Sequence, residues 1–423
     1  MVRKMKHTEI GDIPAEWELQ SFEETFKVLS NNSLSRDNLN YRVGVVRNIH
    51  YGDILTKFSE VLDCCEEEIP YVNDLALLTS STQLLQDGDI IIVDTAEDDT
   101  VGKVAEVQKI GNRKLVSGLH TIPCRVKKGD FYPGYLGYYM NSRLYHEQVL
   151  PYVTGIKVSA ISKTAIKDTL IVIPKIDEQR RIVQTLTDID KVICELKQLI
   201  EKKRDIFEGI KFELISGKQK VSDSEWQEYT VGNMGYFYTG LSGKSKQDFG
   251  SGNAFYITFL NVLGNTVIDT NAFEPVVIND GENQNLVKKG DLLFNTSSET
   301  PEEVGMCAVV LDEIQNTYLN SFCFGLRICA DDIDPLFMAY YFNSAEGRKI
   351  MRILAQGATR YNLSKDAFSE TTVYIPQKDD QRIISDILRD SELELQSLEE
   401  KYLKYLSIKS GMMSKLFSSN NKI

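Results

Sequence analysis

Apolar side chains at Ile182, Leu186, Ile189, Ile193, Leu196, Ile200, Phe207, Ile210 and Leu214 recur at alternating spacings of four and three, broken only by Lys203. This is the a/d rhythm of a coiled coil. It predicts an unbroken helix over 177–216, roughly 60 Å long at about 1.5 Å per residue. Moving 202 residues along the chain gives Ile384, Leu388, Ser391, Leu395, Leu398, Tyr402, Tyr405, Lys409, Met412 and Leu416, a second helix with the same seam. The polar breaks do not coincide, since Lys203 aligns with Tyr405 and Lys409 with Phe207.

Upstream of each helix the period changes. Short runs such as "GDIIIVD" and "GKVAEV", bounded by Gly, Asp and Asn, read as strands. "GYLGYYMNSRLYHEQVL" over 134–150 reads as one helix with Tyr138 and Tyr139 packed in a core, and "TLIVIP" as a final strand. These features also occur twice. "IVIPKIDEQRRI" (171–182) matches "VYIPQKDDQRII" (373–384), "GYYMNS" matches "AYYFNS", and Gly88-Asp89, Gly155 and the two Ile-Pro pairs all reappear 202 residues later. Gly102 and Gly305 are 203 apart, so one residue was gained in the loop before them. Each half opens on a tryptophan, Trp17 or Trp226. A period of half the chain predicts one fold built twice. Pro174 and Pro376 end a strand. The acidic pairs Asp177-Glu178 and Asp379-Asp380 then suit a helix N-terminus. The repeated motif therefore reads as a strand-to-helix hinge.

This order resembles the specificity subunit of type I restriction-modification enzymes. The likeness rests on two similar domains, each followed by a long helix opening I-P-x-x-x-[DE]-Q-R-x-I, and on "IGDIPAEWE", "LISGK" (214–218) and "SKLFS" (414–418). That family often carries a second proline after Ile-Pro. Here Lys175-Ile176 and Gln377-Lys378 follow, and a looser hinge is expected. The resemblance implies an α+β fold: two tandem target recognition domains separated by two long helices that form an antiparallel coiled coil, with pseudo-two-fold symmetry. The expected boundaries are 1–175 for the first domain, 176–218 for the central helix, 219–375 for the second domain and 376–419 for the C-terminal helix. It also implies a non-catalytic subunit that reads a bipartite asymmetric site on double-stranded DNA. Its implied partners are two methyltransferase subunits and the restriction/translocase subunits, and adenine methylation and ATP-dependent cleavage belong to the complex. Helix length would then set the unread spacer, since DNA advances about 3.4 Å per base pair.

Charge modifies this picture. The net charge is -13, which argues against binding nucleic acid by bulk charge alone. The region 177–218 holds nine acidic and nine basic residues, so the excess lies in the domains, and a reader of this kind borrows phosphate affinity from its partners. No apolar run approaches the roughly 20 residues of a membrane span. The start "MVRKMKHTEIGDIP" lacks the apolar centre of a signal peptide, and a cytoplasmic protein is expected. The seven cysteines form no C-x-x-C pair and the four histidines no H-x-x-x-H spacing. Reduced buried thiols are expected, with neither metal nor cofactor.

Two rival classes stay open. One is a coiled-coil scaffold presenting two domains that bind ligands other than DNA. The other is a nuclease built from Asp89, Asp94, Glu97, Asp98, Asp99 and Lys103. It is weakened because Asp94 is aligned with Asn295 and Lys103 with Met306 in the second copy. "GLSGKSK" (240–246) lacks phosphate-loop spacing. No N-P-P-Y motif is present either. If the halves read different sequences, their loops should differ where their frames agree. The candidate DNA contacts are Thr95, Thr100, Lys103, Lys157 and Ser159 in the first domain, and Lys244, Asn295, Ser297, Thr359, Arg360 and Asn362 in the second.

Overall fold

The computed structural model describes residues 4–155 and 157–417. Residues 1–3 of the expected first domain and 418–419 of the expected C-terminal helix lie outside the described residues. The chain divides into two compact units, Met1–Lys197 with Lys401–Ile423, and Gln198–Glu400. No helix among the described residues is long and apolar enough to cross a membrane.

In the first unit a five-stranded sheet runs in the order Phe26–Val28, Thr121–Val126, Ile90–Val93, Val104–Gln108, Val61–Asp63. Every residue of Ile90–Val93 is buried, because both faces of the sheet are covered. Ile90 and Ile92 join the core that contains Trp17 and Tyr139, while Ile91 and Val93 join a separate core with Leu62 and Leu115. A smaller sheet includes the parallel pair Val46–Ile49 and Lys114–Ser117. The strand after Trp17, Glu18–Ser21, pairs antiparallel with the domain's last strand, Leu170–Ile173.

The second unit repeats this plan. Its main sheet runs Gly235–Thr239, Cys323–Ile328, Asp291–Asn295, Cys307–Val309. The parallel pair is now Phe249–Ile257 with Thr317–Leu319. Gln227–Thr230, just after Trp226, pairs with the closing strand Thr372–Ile375.

The expected helix over 134–150 is two helices, Tyr135–Met140 and Arg143–Val149. The break falls at Asn141-Ser142, because Ser142 is extended and the Asn141 amide bonds both the N–H (2.9 Å) and the carbonyl (2.8 Å) of Val104. Asn343 grips Cys307 in the same way at 2.9 and 2.6 Å. Tyr138 and Tyr139 are buried as expected. Not all the thiols are: Cys65, Cys194 and Cys329 are exposed.

The two long helices are Ile176–Ile215 and Lys378–Phe417, each of 40 residues. Within the first unit, Ile182 and Leu186 share a core with Met413 and Phe417 and with the domain's Tyr135 and Tyr139. Within the second, Phe207, Leu214 and Ile215 share one with Ile384 and Leu388. The end of one helix thus lies with the start of the other, an antiparallel arrangement inside each unit. The outer rungs of the seam pack into domain cores as well as against the partner helix. Leu196 and Ile200 are buried. Ile193, Leu395, Leu398, Tyr402 and Tyr405 are half-buried. Both lysine breaks are paired, Lys203 with Glu394 at 2.7 Å, and Lys409 with Glu60 and Asp190 at 2.6 Å each.

The repeated motif at the start of each helix is a fastened joint, contrary to the loose hinge expected. The Gln179 side chain donates to the carbonyls of Pro174 (2.9 Å) and Asp130 (3.1 Å) and accepts from the N–H of Tyr132 (2.8 Å). Gln381 makes the equivalent three bonds, to Pro376 (2.8 Å), Asp332 (3.2 Å) and Asp334 (2.8 Å). Both amides are buried, so each locks strand end, domain loop and helix start together. Gln381→Leu strands two carbonyls and an N–H, and we expect a loss of about 2–4 kcal/mol. Chemical denaturation measures it, and an unchanged midpoint would contradict the joint.

Candidate nucleic-acid interface

The frame that carries the loops is the same in both units down to single bonds. Asp89 and Asp291, each 1% exposed, take paired bonds from Arg125 (2.8 and 2.7 Å) and Arg327 (2.8 and 2.6 Å). The same arginines reach the carbonyls of Leu84 and Leu286. Tyr138 bonds Asp190 at 2.7 Å, and Tyr340 bonds Glu392 at 2.9 Å. All these pairs of positions are 202 apart.

On this frame sits a small sheet. In the first unit Thr95–Ala96 pairs with Ser159–Ala160, and in the second Ser297–Ser298 pairs with Tyr361–Asn362. Gly155 (φ 115°) and Gly357 (φ 142°) start the loops that feed it. A Cβ at either would lie 1.9 or 2.1 Å from the carbonyl oxygen three residues on, so only glycine fits. The structure thus brings together Thr95, Lys157 and Ser159 in one unit, and Ser297, Thr359, Arg360 and Asn362 in the other.

Thr95 donates to Asp94 at 2.8 Å and contacts the His120 ring nitrogen Nδ1 at 3.2 Å. Lys157 and Thr359 are exposed and Ser159 is half-buried. Arg360 is exposed, its Nε bonded to the buried Ser297 hydroxyl at 3.2 Å and its guanidinium 5.7 Å from the centre of the Phe322 ring. Asn362 is exposed and reaches back to the Arg360 carbonyl at 3.4 Å.

Other candidates lie apart or are enclosed. Thr100 folds onto Asp98 within its own turn. Lys103 is half-buried and donates to the Leu55 carbonyl at 3.1 Å, and burial lowers its pKa against the opposing pull of Glu60. The Lys244 side chain is only 4% exposed and lies 2.5 Å from Glu282, whose carboxyl it holds down at about 2. Asn295 is fully buried, with its amide bonding Ser297, Glu303 and Met306. Lys244 and Asn295 are therefore engaged within their own loops, as braces.

The carboxylates of the nuclease reading do not converge. Asp89 is tied to Arg125, Asp94 faces Thr95 and His120, and Asp98 caps Thr100. Register also corrects the alignment of the copies: Val93 pairs with Thr121 as Asn295 pairs with Cys323, so the counterpart of Asp94 is Thr296. Another buried acid, Glu106, accepts from the backbone of Gly134 (2.5 Å) and Gly137 (2.8 Å) at a helix start, and burial raises its pKa. Sequence reasoning passed over His120 and Phe322, which border the small sheets. Aligning the copies at an offset of 202 pairs them, although their residue types differ.

A duplicated α+β domain, each copy seating variable polar loops on an invariant frame and fastened to a long helix, is a two-headed recognition module. The type I restriction modification DNA specificity domain model matches residues 14–203 and again 223–406. The chain belongs to this family: it is a type I restriction-modification specificity subunit, devoted to DNA target recognition. A putative type I restriction enzyme MjaX specificity subunit from Methanocaldococcus jannaschii is 22% identical, over 94% of this chain and 92% of its own. The type I restriction-modification S subunit from M. genitalium has a similar fold, with a TM-score of 0.58 and 15% identity, covering 99% of this chain and 100% of that one. A chain from a structural study of complex assembly and conformational transition in the type I R-M system gives 0.56 and 14%, covering 96% and 99%. The reading as a scaffold for ligands other than DNA is not favoured.

Proposed function

We propose that each unit reads one half of a bipartite, asymmetric DNA target, with an unread spacer between the halves. The observation that carries this is the pairing of an invariant frame with divergent loop side chains in the two copies. A protein reading one sequence twice has no use for that divergence, whereas base readout depends on which donors and acceptors a loop presents.

The chain supplies no catalytic group in this reading. Adenine methylation and ATP-dependent cleavage belong to two methyltransferase subunits and to restriction subunits assembled with it in the cytoplasm. Apolar side chains left exposed on the long helices, Leu199 and Ile206 on one and Leu403 and Ile408 on the other, suit docking of the methyltransferases. Methylome sequencing of a strain with and without this chain tests the proposal. The expected result is loss of one adenine-methylated motif made of two short specific parts around unread bases; a lost motif that is continuous would overturn it.

A further inference from the structure

The two units agree in backbone around residue 120 and its counterpart 322. The N–H of Asp94 bonds the His120 carbonyl (3.1 Å), and that of Thr296 bonds the Phe322 carbonyl (2.8 Å). Ile161 N–H reaches the Asp94 carbonyl, and Leu363 N–H the Thr296 carbonyl, both at 2.9 Å. Positions 94, 120 and 161 thus superpose on 296, 322 and 363, and position 158 on 360. On this common ground the side chains change type: His120 and Val158 in one unit, Phe322 and Arg360 in the other.

Each pair leaves one polar group aimed outward. His120 is held in a left-handed backbone conformation (φ 55°) unusual for a residue other than glycine. Its ring meets Tyr51 edge-on at 5.2 Å, and Nδ1 is engaged by Thr95. The side chain is 42% exposed, and Nε2 has no partner among the described residues. Phe322 is 55% exposed and forms a floor under the Arg360 guanidinium. With Nε on Ser297, the two terminal nitrogens of Arg360 have no partner among the described residues and are oriented as a fork. Such a fork matches the O6 and N7 acceptors of guanine in the major groove. A single imidazole N–H or lone pair can address one acceptor or donor of a base edge.

We infer that residues 120 and 322 are specificity-determining positions: His120 contacts a base in the first half-site, and Phe322 positions Arg360 to read a guanine in the second. This rests on the two-reader proposal above.

The test is methylome sequencing of a strain carrying the complete system, with this chain replaced by Arg360→Lys, Phe322→Leu or His120→Asn. For the first two variants, one guanine position in one half-site should relax, with the preference for matched over mismatched sites falling about 5- to 100-fold and the other half unchanged. His120→Asn should alter a single position in the opposite half. An unchanged motif, loss of preference in both halves, or loss of all methylation in these conservative variants would overturn the inference. If deleting the chain removes no methylated motif, the two-reader proposal has failed instead.

Discussion

Truncation of Phe417 to alanine is expected to destabilise the first unit by about 3–5 kcal/mol, the range for deleting a large buried ring. The residue belongs to the C-terminal helix, Lys378–Phe417, and is only 1% exposed. Its ring meets Tyr139 at 5.7 Å and Tyr135 at 6.0 Å, inside the core that also contains Trp17. The last turn of the C-terminal helix is therefore an integral part of the first domain's interior. Ile215, 202 positions earlier and equally buried, fills the corresponding place in the second unit. Urea unfolding of the full chain carrying Trp226→Phe, followed by tryptophan fluorescence, reads the effect, because Trp17 in the first core is then the tryptophan left to report. An unchanged first-unit transition would show that the helix end is not a core element.

The second large effect concerns Lys409. Its ammonium sits 2.6 Å from Glu60 and 2.6 Å from Asp190, with Tyr138 also bonded to Asp190. Burial alone would lower the lysine pKa, but the two carboxylates outweigh it and raise it. Burial raises the Asp190 pKa, against the opposing pull of Lys409. A raised carboxyl pKa means that the folded state holds its proton longer than the unfolded chain. Stability from this group is therefore greatest at low pH and falls as pH rises from the ordinary carboxylate range through the raised value. Lys409→Met removes the cation, so the fall should steepen and extend to higher pH. The variant should be less stable by about 3 kcal/mol near neutrality, where two half-buried carboxylates lack their partner, and should approach the parent in acid. Unfolding midpoints measured between about pH 4 and 8 decide this, and a pH-independent loss would contradict the assignment.

Much of the architecture was legible because duplication supplies an internal control. The seam of long helices, the strands around Gly88-Asp89 and the closing Ile-Pro strands all stood out at one offset, and they appear where that offset put them. The helix break at Asn141-Ser142 did not stand out, because the apolar pattern runs through it and the cause is a side-chain grip on Val104, a strand residue 37 positions away. The joint motif was legible as a motif but not as a lock. Nothing local says that Gln179 will find Asp130 and Tyr132.

Site residues were harder to read. Polar type and loop position selected Arg360 and Thr95, which border the small sheets, but also Lys244 and Asn295, which are buried as braces. Residue type cannot tell a side chain that faces DNA from one that holds its own loop, since both need the same donors. His120 and Phe322 escaped notice because a histidine and a phenylalanine share no chemistry. Only the backbone around them is common.

The strand pairs Glu18–Ser21 with Leu170–Ile173 and Gln227–Thr230 with Thr372–Ile375 have a consequence for inheritance. Each domain enters and leaves its helical support at neighbouring positions of one two-stranded seam, so everything between forms a cassette with adjacent ends. Recombination that exchanges the stretch between those strands leaves the helix and its glutamine in place, provided the incoming domain offers backbone groups where Asp130 and Tyr132, or Asp332 and Asp334, meet that amide. Under the two-reader proposal, a lineage would thereby acquire a new half-target in a single genetic event.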